Sequence, residues 1–191
     1  MAIGTFILLG ILLAFFLYVV MIYNNLVRLK HNVSQAWSNI DVLLKQRHDE
    51  LPKLVETCKQ YMKHEREVLE KVTQARAAVG KAREAGDVAA LGAAETGLRR
   101  GLMNLFAVAE NYPELRANEN FQHLQNRISQ LEAQIADRRE YYNDSVNANN
   151  VRIEQFPDAL IARSFNFGPR PLLSFEPGEI KDVNVKELFG G

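Results

Sequence analysis

The sequence predicts an all-α chain, a single N-terminal transmembrane helix followed by an elongated antiparallel bundle of the four-helix type. Three observations lead there. Residues 3–22 form an uncharged, mostly apolar run. Beyond it, apolar residues recur three and four apart over long stretches, which lays one apolar stripe along a helix. Helix-ending residues at Ala85-Gly86-Asp87 and Asn111-Tyr112-Pro113 separate those stretches. The segments that follow are an anchor over 1–23, a bundle over 24–164 and a tail containing Pro, Gly and Phe over 165–191.

The 191 residues suit one domain plus an anchor. Lys and Arg together number 23 and so do Asp and Glu, leaving no net charge. No overall basic field exists to draw in nucleic acid, which is not expected as a partner. Cys58 is the sole cysteine, so neither an internal disulfide nor a multi-cysteine metal site can form.

The anchor run reads IGTFILLGILLAFFLYVVMI, and the first basic residue is Arg28. At about 1.5 Å per residue, roughly 20 helical residues cross a hydrocarbon core of about 30 Å. Tyr18 and Tyr23 fall late in the run, where amphipathic rings favour the interface. A cleavable signal peptide needs a basic start and a small-residue cleavage site. Neither is present, so an uncleaved, single-pass anchor in a bacterial-type inner (cell) membrane is expected. Arg28, Lys30, Lys45 and Arg47 follow the run, with only Asp41 opposing. That bias predicts an outside N-terminus and a cytoplasmic bundle, an external bundle being the alternative. Gly10 and Ala14 carry the small-xxx-small spacing that lets membrane helices approach.

The first bundle helix is expected over 24–84, continuous with the span because no Gly or Pro lies between Gly10 and Pro52. One heptad register holds Trp37, Leu44, Leu51, Cys58 and Val72; the other holds Val33, Ile40, Leu54, Tyr61, Val68 and Ala75. This is a coiled-coil-like seam, interrupted by Arg47 and Glu65. Pro52 lacks an N–H and should bend the helix, yet the seven-residue spacing continues across it. Cys58, on the seam, reads as a small core residue.

The second helix carries Leu91, Leu98, Leu102 and Leu105, with Gly92, Gly97 and Gly101 inside it. Interior glycine costs roughly 1 kcal/mol relative to Ala, so close helix approach is expected in compensation. A third helix over 118–156, about 58 Å long, carries a stripe from Phe121 through Ile128, Ile135, Tyr142 and Val146 to Ile153 and Phe156. Asn149 sits on that stripe where an apolar residue is expected. Pro157 should open a short last helix through Arg163. In the tail, Gly168-Pro169-Arg170-Pro171 and Pro177-Gly178 break regular structure, Val183 and Val185 hint at extended chain, and Phe165, Phe167, Phe175 and Phe189 argue against pure disorder.

Catalytic signatures are missing. No Glu is followed three residues later by His, the pattern of di-metal bundles. The zinc-protease, P-loop, dinucleotide and nucleophile-elbow motifs are missing too. His31, His48, His64 and His123 are scattered and read as solvated or helix-face residues. Arg47-His48-Asp49-Glu50 reads first as a buried helix-to-helix network and second as a partner contact at the Pro52 bend. No catalytic, cofactor-binding or metal-binding residue is assigned, no cofactor is expected, and the chain is not expected to be an enzyme.

Several stretches together resemble one family: NVSQAWSNI over 32–40, RHDELPKLV over 47–55, VTQARA over 72–77, ENYPELRANENF over 110–121, YNDSV over 142–146 and FPDALIA over 156–162. In that order they look like a member of the LemA family, a likeness that covers nearly all the chain up to Pro171. Asn149 departs from the family's tendency to have Tyr in a YNxxVxxYN pattern. The resemblance implies an N-terminal transmembrane helix and an antiparallel helical bundle, and it implies no reaction. The expected function is therefore a membrane-anchored structural or scaffolding protein. Its partners would be the lipid bilayer and sister chains, in a homo-oligomer built through the long amphipathic helices. The alternative is an adaptor or regulatory subunit of another membrane protein, docking through the tail.

Overall fold

A computed structural model describes residues 2–174, and every regular element among them is a helix. The helices are α1 (Ala2–Tyr61), α2 (Arg66–Ala85), α3 (Val88–Ala109), α4 (Pro113–Arg116), α5 (Glu119–Glu154) and α6 (Asp158–Ser164). The chain is an all-α helical bundle with one long apolar N-terminal helix, as the periodicity predicts.

α1 runs 60 residues without a break at Asn24-Asn25, so the apolar run and the first bundle helix are one helix. It also passes through Pro52. A proline leaves the carbonyl four residues earlier without its helical donor, and here that carbonyl belongs to His48. Arg76 of α2 supplies the missing bond, its Nε donating to the His48 oxygen at 2.9 Å.

The expected helix over 24–84 is not one element. α1 ends at Tyr61, and α2 begins at Arg66 after the turn Met62-Lys63-His64-Glu65. That turn contains neither Gly nor Pro, and the heptad stays in phase across it because α1 and α2 face the same core. Met62 fills the corner of that core at 1 % exposure.

The chain divides into two compact units, Met1–Leu43 with Gln134–Leu172, and Leu44–Ala133 with Leu173–Gly191. The second unit holds the end of α1, all of α2, α3 and α4, and the start of α5. Its long helices alternate in direction. His48 of α1 meets Arg76 and Gly80 of α2, Val72 of α2 meets Gly101 of α3, and Tyr61 of α1 accepts a hydrogen bond from Asn118 beside α5. Leu44, Leu51, Leu54, Cys58, Val72, Leu98, Leu105 and Ile128 are fully buried in its core. Trp37, Tyr61, Val68 and Ala75, expected on the same stripe, are half-buried.

The corners are built as the residues suggest. Gly86 takes the left-handed conformation at φ 66°, and Asp87 N–H donates back to the Ala82 carbonyl at 3.1 Å. The Asp87 carboxylate then accepts from Ala90 N–H at 2.9 Å and caps α3. At the start of α5, Asn118 Oδ1 accepts from Phe121 N–H at 3.0 Å.

The glycines of α3 divide. A side chain on Gly101 would come within 3.5 Å of Val72, the expected close helix approach. Gly92 instead makes room for tail backbone, because a Cβ there would collide with the Ser174 carbonyl. Gly97 faces open space.

The first unit pairs the early part of α1 with the later part of α5. The Trp37 and Tyr142 rings lie 5.4 Å apart. Tyr142 Oη donates to the Pro171 carbonyl at 3.0 Å, and the Asn150 side-chain amide exchanges two bonds with the backbone of Arg170, at 2.9 and 2.8 Å. Residues 165–172 are thereby tied to their own unit. Asn149 is buried on the stripe and donates to Asn150 Oδ1 at 3.1 Å. Phe156, expected to end the stripe, is 83 % exposed, because α5 stops at Glu154 and the chain turns there. Pro157 precedes α6 as its cap rather than its first residue. Phe175, Pro177-Gly178, Val183, Val185 and Phe189 lie outside the described residues.

Candidate functional site: a buried charge layer and an uncovered apolar helix

Two features stand apart from ordinary packing. The first is a polar layer inside the second unit. Arg47 of α1, on the apolar seam, is 1 % exposed and donates Nη2 to Glu95 Oε1 and Nη1 to Glu132 Oε1, each at 2.5 Å. Glu95 comes from α3 and Glu132 from α5, and Arg99 Nε approaches Glu132 Oε2 at 3.6 Å. With Arg76 of α2 on the His48 carbonyl, all four long helices of the unit meet at this level.

Electrostatics bind the layer. Burial works against the Arg47 charge, but Glu95 and Glu132 outweigh it and hold the guanidinium above its ordinary pKa. Burial pushes the Glu95 carboxyl up, with Arg47 pulling it down and Glu132 adding to the rise. The Glu95 Oε2 and Arg47 Nε atoms are buried without a hydrogen-bond partner. Such a layer fixes which residues face one another, since a shifted register would strand a charge in the core. Its centre, Arg47 and Glu95, is closed to solvent, while Glu132 and Arg99 at its edge are partly exposed.

Of the Arg47-His48-Asp49-Glu50 cluster, then, Arg47 belongs to a buried helix-to-helix network, while Asp49 is exposed. Glu65 does not interrupt a seam. It precedes α2 and accepts a hydrogen bond from Tyr112 Oη at 3.3 Å. Cys58 is fully buried, and burial lifts its thiol to about 12. His31, His64 and His123 are exposed and His48 is half-buried. Among the described residues no three His, Cys, Asp or Glu side chains gather as a metal site would require. Glu95 was readable in principle, because it falls between Leu91 and Leu98 at the four-then-three spacing of the α3 stripe. Glu132 flanks the α5 stripe and gives no such signal.

The second feature is the start of α1, a helical stretch long and apolar enough to cross a membrane and almost wholly uncovered by the rest of the chain. Phe6 is 72 % exposed, Phe15 65 % and Phe16 62 %. Gly4 and Gly10 have no neighbouring atoms within 4 Å of where a side chain would begin. At Ile22 the environment changes, since Ile22 and Leu26 are buried against Ile153 and Ala162.

Comparison with known proteins adds a family and a set of relatives. The sequence model of the LemA family matches residues 36–186. Two curated relatives, magnetosome proteins MamQ 1 and MamQ 2 of Paramagnetospirillum magneticum, are each 25 % identical over 199 residues, covering 92 % of this chain and 73 % of theirs. Magnetosome protein MamQ of Magnetospirillum gryphiswaldense is 26 % identical over 100 residues, covering 52 % of this chain and 37 % of its own.

Proposed function

The chain belongs to the LemA family, and from that premise we propose that it is a membrane-anchored, non-enzymatic scaffold that assembles with copies of itself. One observation carries the reading: a single unbroken helix joins an uncovered apolar stretch to a tightly packed bundle. An exposed run of large apolar side chains is unfavourable in water and favourable in hydrocarbon. Within the first unit, the helix continuity gives the α1–α5 pairing the direction of the anchor. The non-catalytic part of the reading rests on where the charges are. Among the described residues, the concentrated polar layer is closed to solvent at Arg47 and Glu95 and serves packing. The relatives' name, magnetosome protein, is compatible with a structural role.

The apolar stripes of α1, α2, α3 and α5 are occupied within the chain, so sister chains would meet through the remaining lateral surface, including the uncovered face of the anchor around Gly10 and Ala14. Mass measurement of the detergent-extracted full chain tests this. A defined multimer supports self-assembly, and a monomer at every concentration refutes it. The positive charges after residue 22 favour a cytoplasmic bundle, which a reporter fused after Gly191 checks. The adaptor reading is weaker over 165–174, because Pro171, Arg170 and Ser174 are engaged by the chain's own residues.

A further inference from the structure

We propose, resting on the reading of residues 3–22 as a membrane span, that α6 and its flanks form a second membrane contact, seated in the interface where α1 leaves the bilayer. Within the first unit α6 is held at a definite height on α1. Ile22 and Leu26 pack with Ile153 and Ala162, and Ile161 and Phe167 close the cluster. The Tyr23 ring meets Phe165 edge-on at 4.9 Å and Phe167 at 5.8 Å. These contacts involve the last residue of the apolar run and the turn that follows it. A bilayer that covers residues 3–21 therefore ends beside α6.

The outer side of this region is apolar where a soluble corner would be polar. Phe156 is 83 % exposed, Leu160 57 % and Phe165 56 %. Each large apolar side chain left in water forgoes the free energy of burial. Elsewhere in the same unit beyond the span, Val42, Tyr141, Val151 and Leu172 are exposed by 55, 51, 44 and 49 %, each less than these three. The three most exposed large apolar side chains of the unit outside the span thus lie at the level of the span's end, beside its apolar surface.

The polar groups fit the same location. A cleft beside the span is lined by Leu17, Tyr18, Met21, Asn25, Arg28 and Arg152, apolar on one side and cationic on the other. Arg152 is anchored by the buried Asp158, and Arg28 Nη2 donates to Asn25 Oδ1 at 2.8 Å. Exposed Arg163 adds a further cation, and Glu154 opposes them. Guanidinium groups beside apolar walls match a lipid's phosphate above its acyl chain. Aromatic and apolar residues with flanking Arg are the composition of elements that lie in the headgroup–acyl boundary. The occupant is the bilayer itself, because this surface is continuous with the span.

Spin labels at introduced cysteines test the proposal in the full chain reconstituted into phospholipid vesicles. Buried Cys58, with its thiol lifted to about 12, does not compete for label. Phe16→Cys, Phe156→Cys and Val42→Cys replace exposed residues, which spares the core, and helicity by circular dichroism checks each. Val42 lies about 24 Å along α1 from Leu26. Collision with oxygen, which dissolves in lipid, is compared with collision with a water-soluble nickel complex. The oxygen-to-nickel ratio is expected to be highest at 16 and several-fold higher at 156 than at 42. A lipid-like 16 with 156 as aqueous as 42 overturns the second contact and leaves the span intact. An aqueous 16 overturns both. A site 156 shielded from both reagents also overturns the proposal, in favour of a protein covering that surface.

Discussion

Arg47 carries the strongest single constraint on the second unit. It is a full charge at 1 % exposure, held by carboxylates from two other helices. Arg47→Met leaves Glu95 buried without its cation, and breaking a buried pair in this way costs about 3–5 kcal/mol. Urea unfolding of the full chain in detergent reads that loss. Replacing Arg47, Glu95 and Glu132 together with apolar residues of similar size should recover much of it. The pH dependence has a definite sign. Burial, outweighing Arg47, lifts folded Glu95 above its ordinary 4.5, so between the two values the folded chain holds more protons than the unfolded one. Stability from this group is complete below 4.5 and falls as pH rises through the folded pKa. Measured against Glu95→Gln, which cannot ionise, the parent's advantage should therefore be largest at the acid end and shrink toward neutral pH. Sequence alone exposes Arg47 as an intruder on a seam. It does not reveal the partners, because a carboxylate's pairing depends on which helices face each other, and that follows from the turn at 62–65.

That turn shows where periodicity stops being informative about elements. A heptad records which face is buried and says nothing about direction, so α1 and α2, both facing one core, read as one long helix. The visible breakers, Gly86 and Pro113, mark true corners, whereas Pro52 sits inside α1 and the break at Met62–Glu65 has no breaker at all. Pro52 is tolerated because Arg76 satisfies the carbonyl it frees. This predicts a coupling. Arg76→Leu in the parent should cost about 1–2 kcal/mol, the penalty for a backbone acceptor left without its bond. In a Pro52→Ala background, where the His48 carbonyl regains its helical donor, most of that cost should vanish in a double-mutant cycle. Equal losses in both backgrounds would disprove the link. The α3 glycines give a second contrast, read by thermal unfolding. Gly97→Ala fills open space and should stabilise by up to about 1 kcal/mol, while Gly92→Ala should destabilise or displace residue 174, because the Ser174 carbonyl occupies the needed volume.

At the scale of the whole molecule, the long apolar N-terminal helix was the most legible part of the sequence, because twenty uncharged residues need no tertiary context to be understood. The helical class was equally legible from spacing. The surface around α6 was not, since Phe156 reads as the end of a buried stripe until the turn after Glu154 places it outside. Together these features describe a bundle with a packed core, while the apolar surface left uncovered among the described residues includes the start of α1 and Phe156, Leu160 and Phe165 around α6. The apolar helix and the LemA-family match together point to a membrane-associated protein. Embedding of residues 3–22 of α1 in a bilayer underlies both the proposed function and the second contact at α6. Alkaline carbonate extraction of membranes from cells making the full chain measures this directly. The full chain should remain in the membrane pellet while a chain lacking residues 1–23 is released, and a full chain recovered intact in the carbonate supernatant would contradict it.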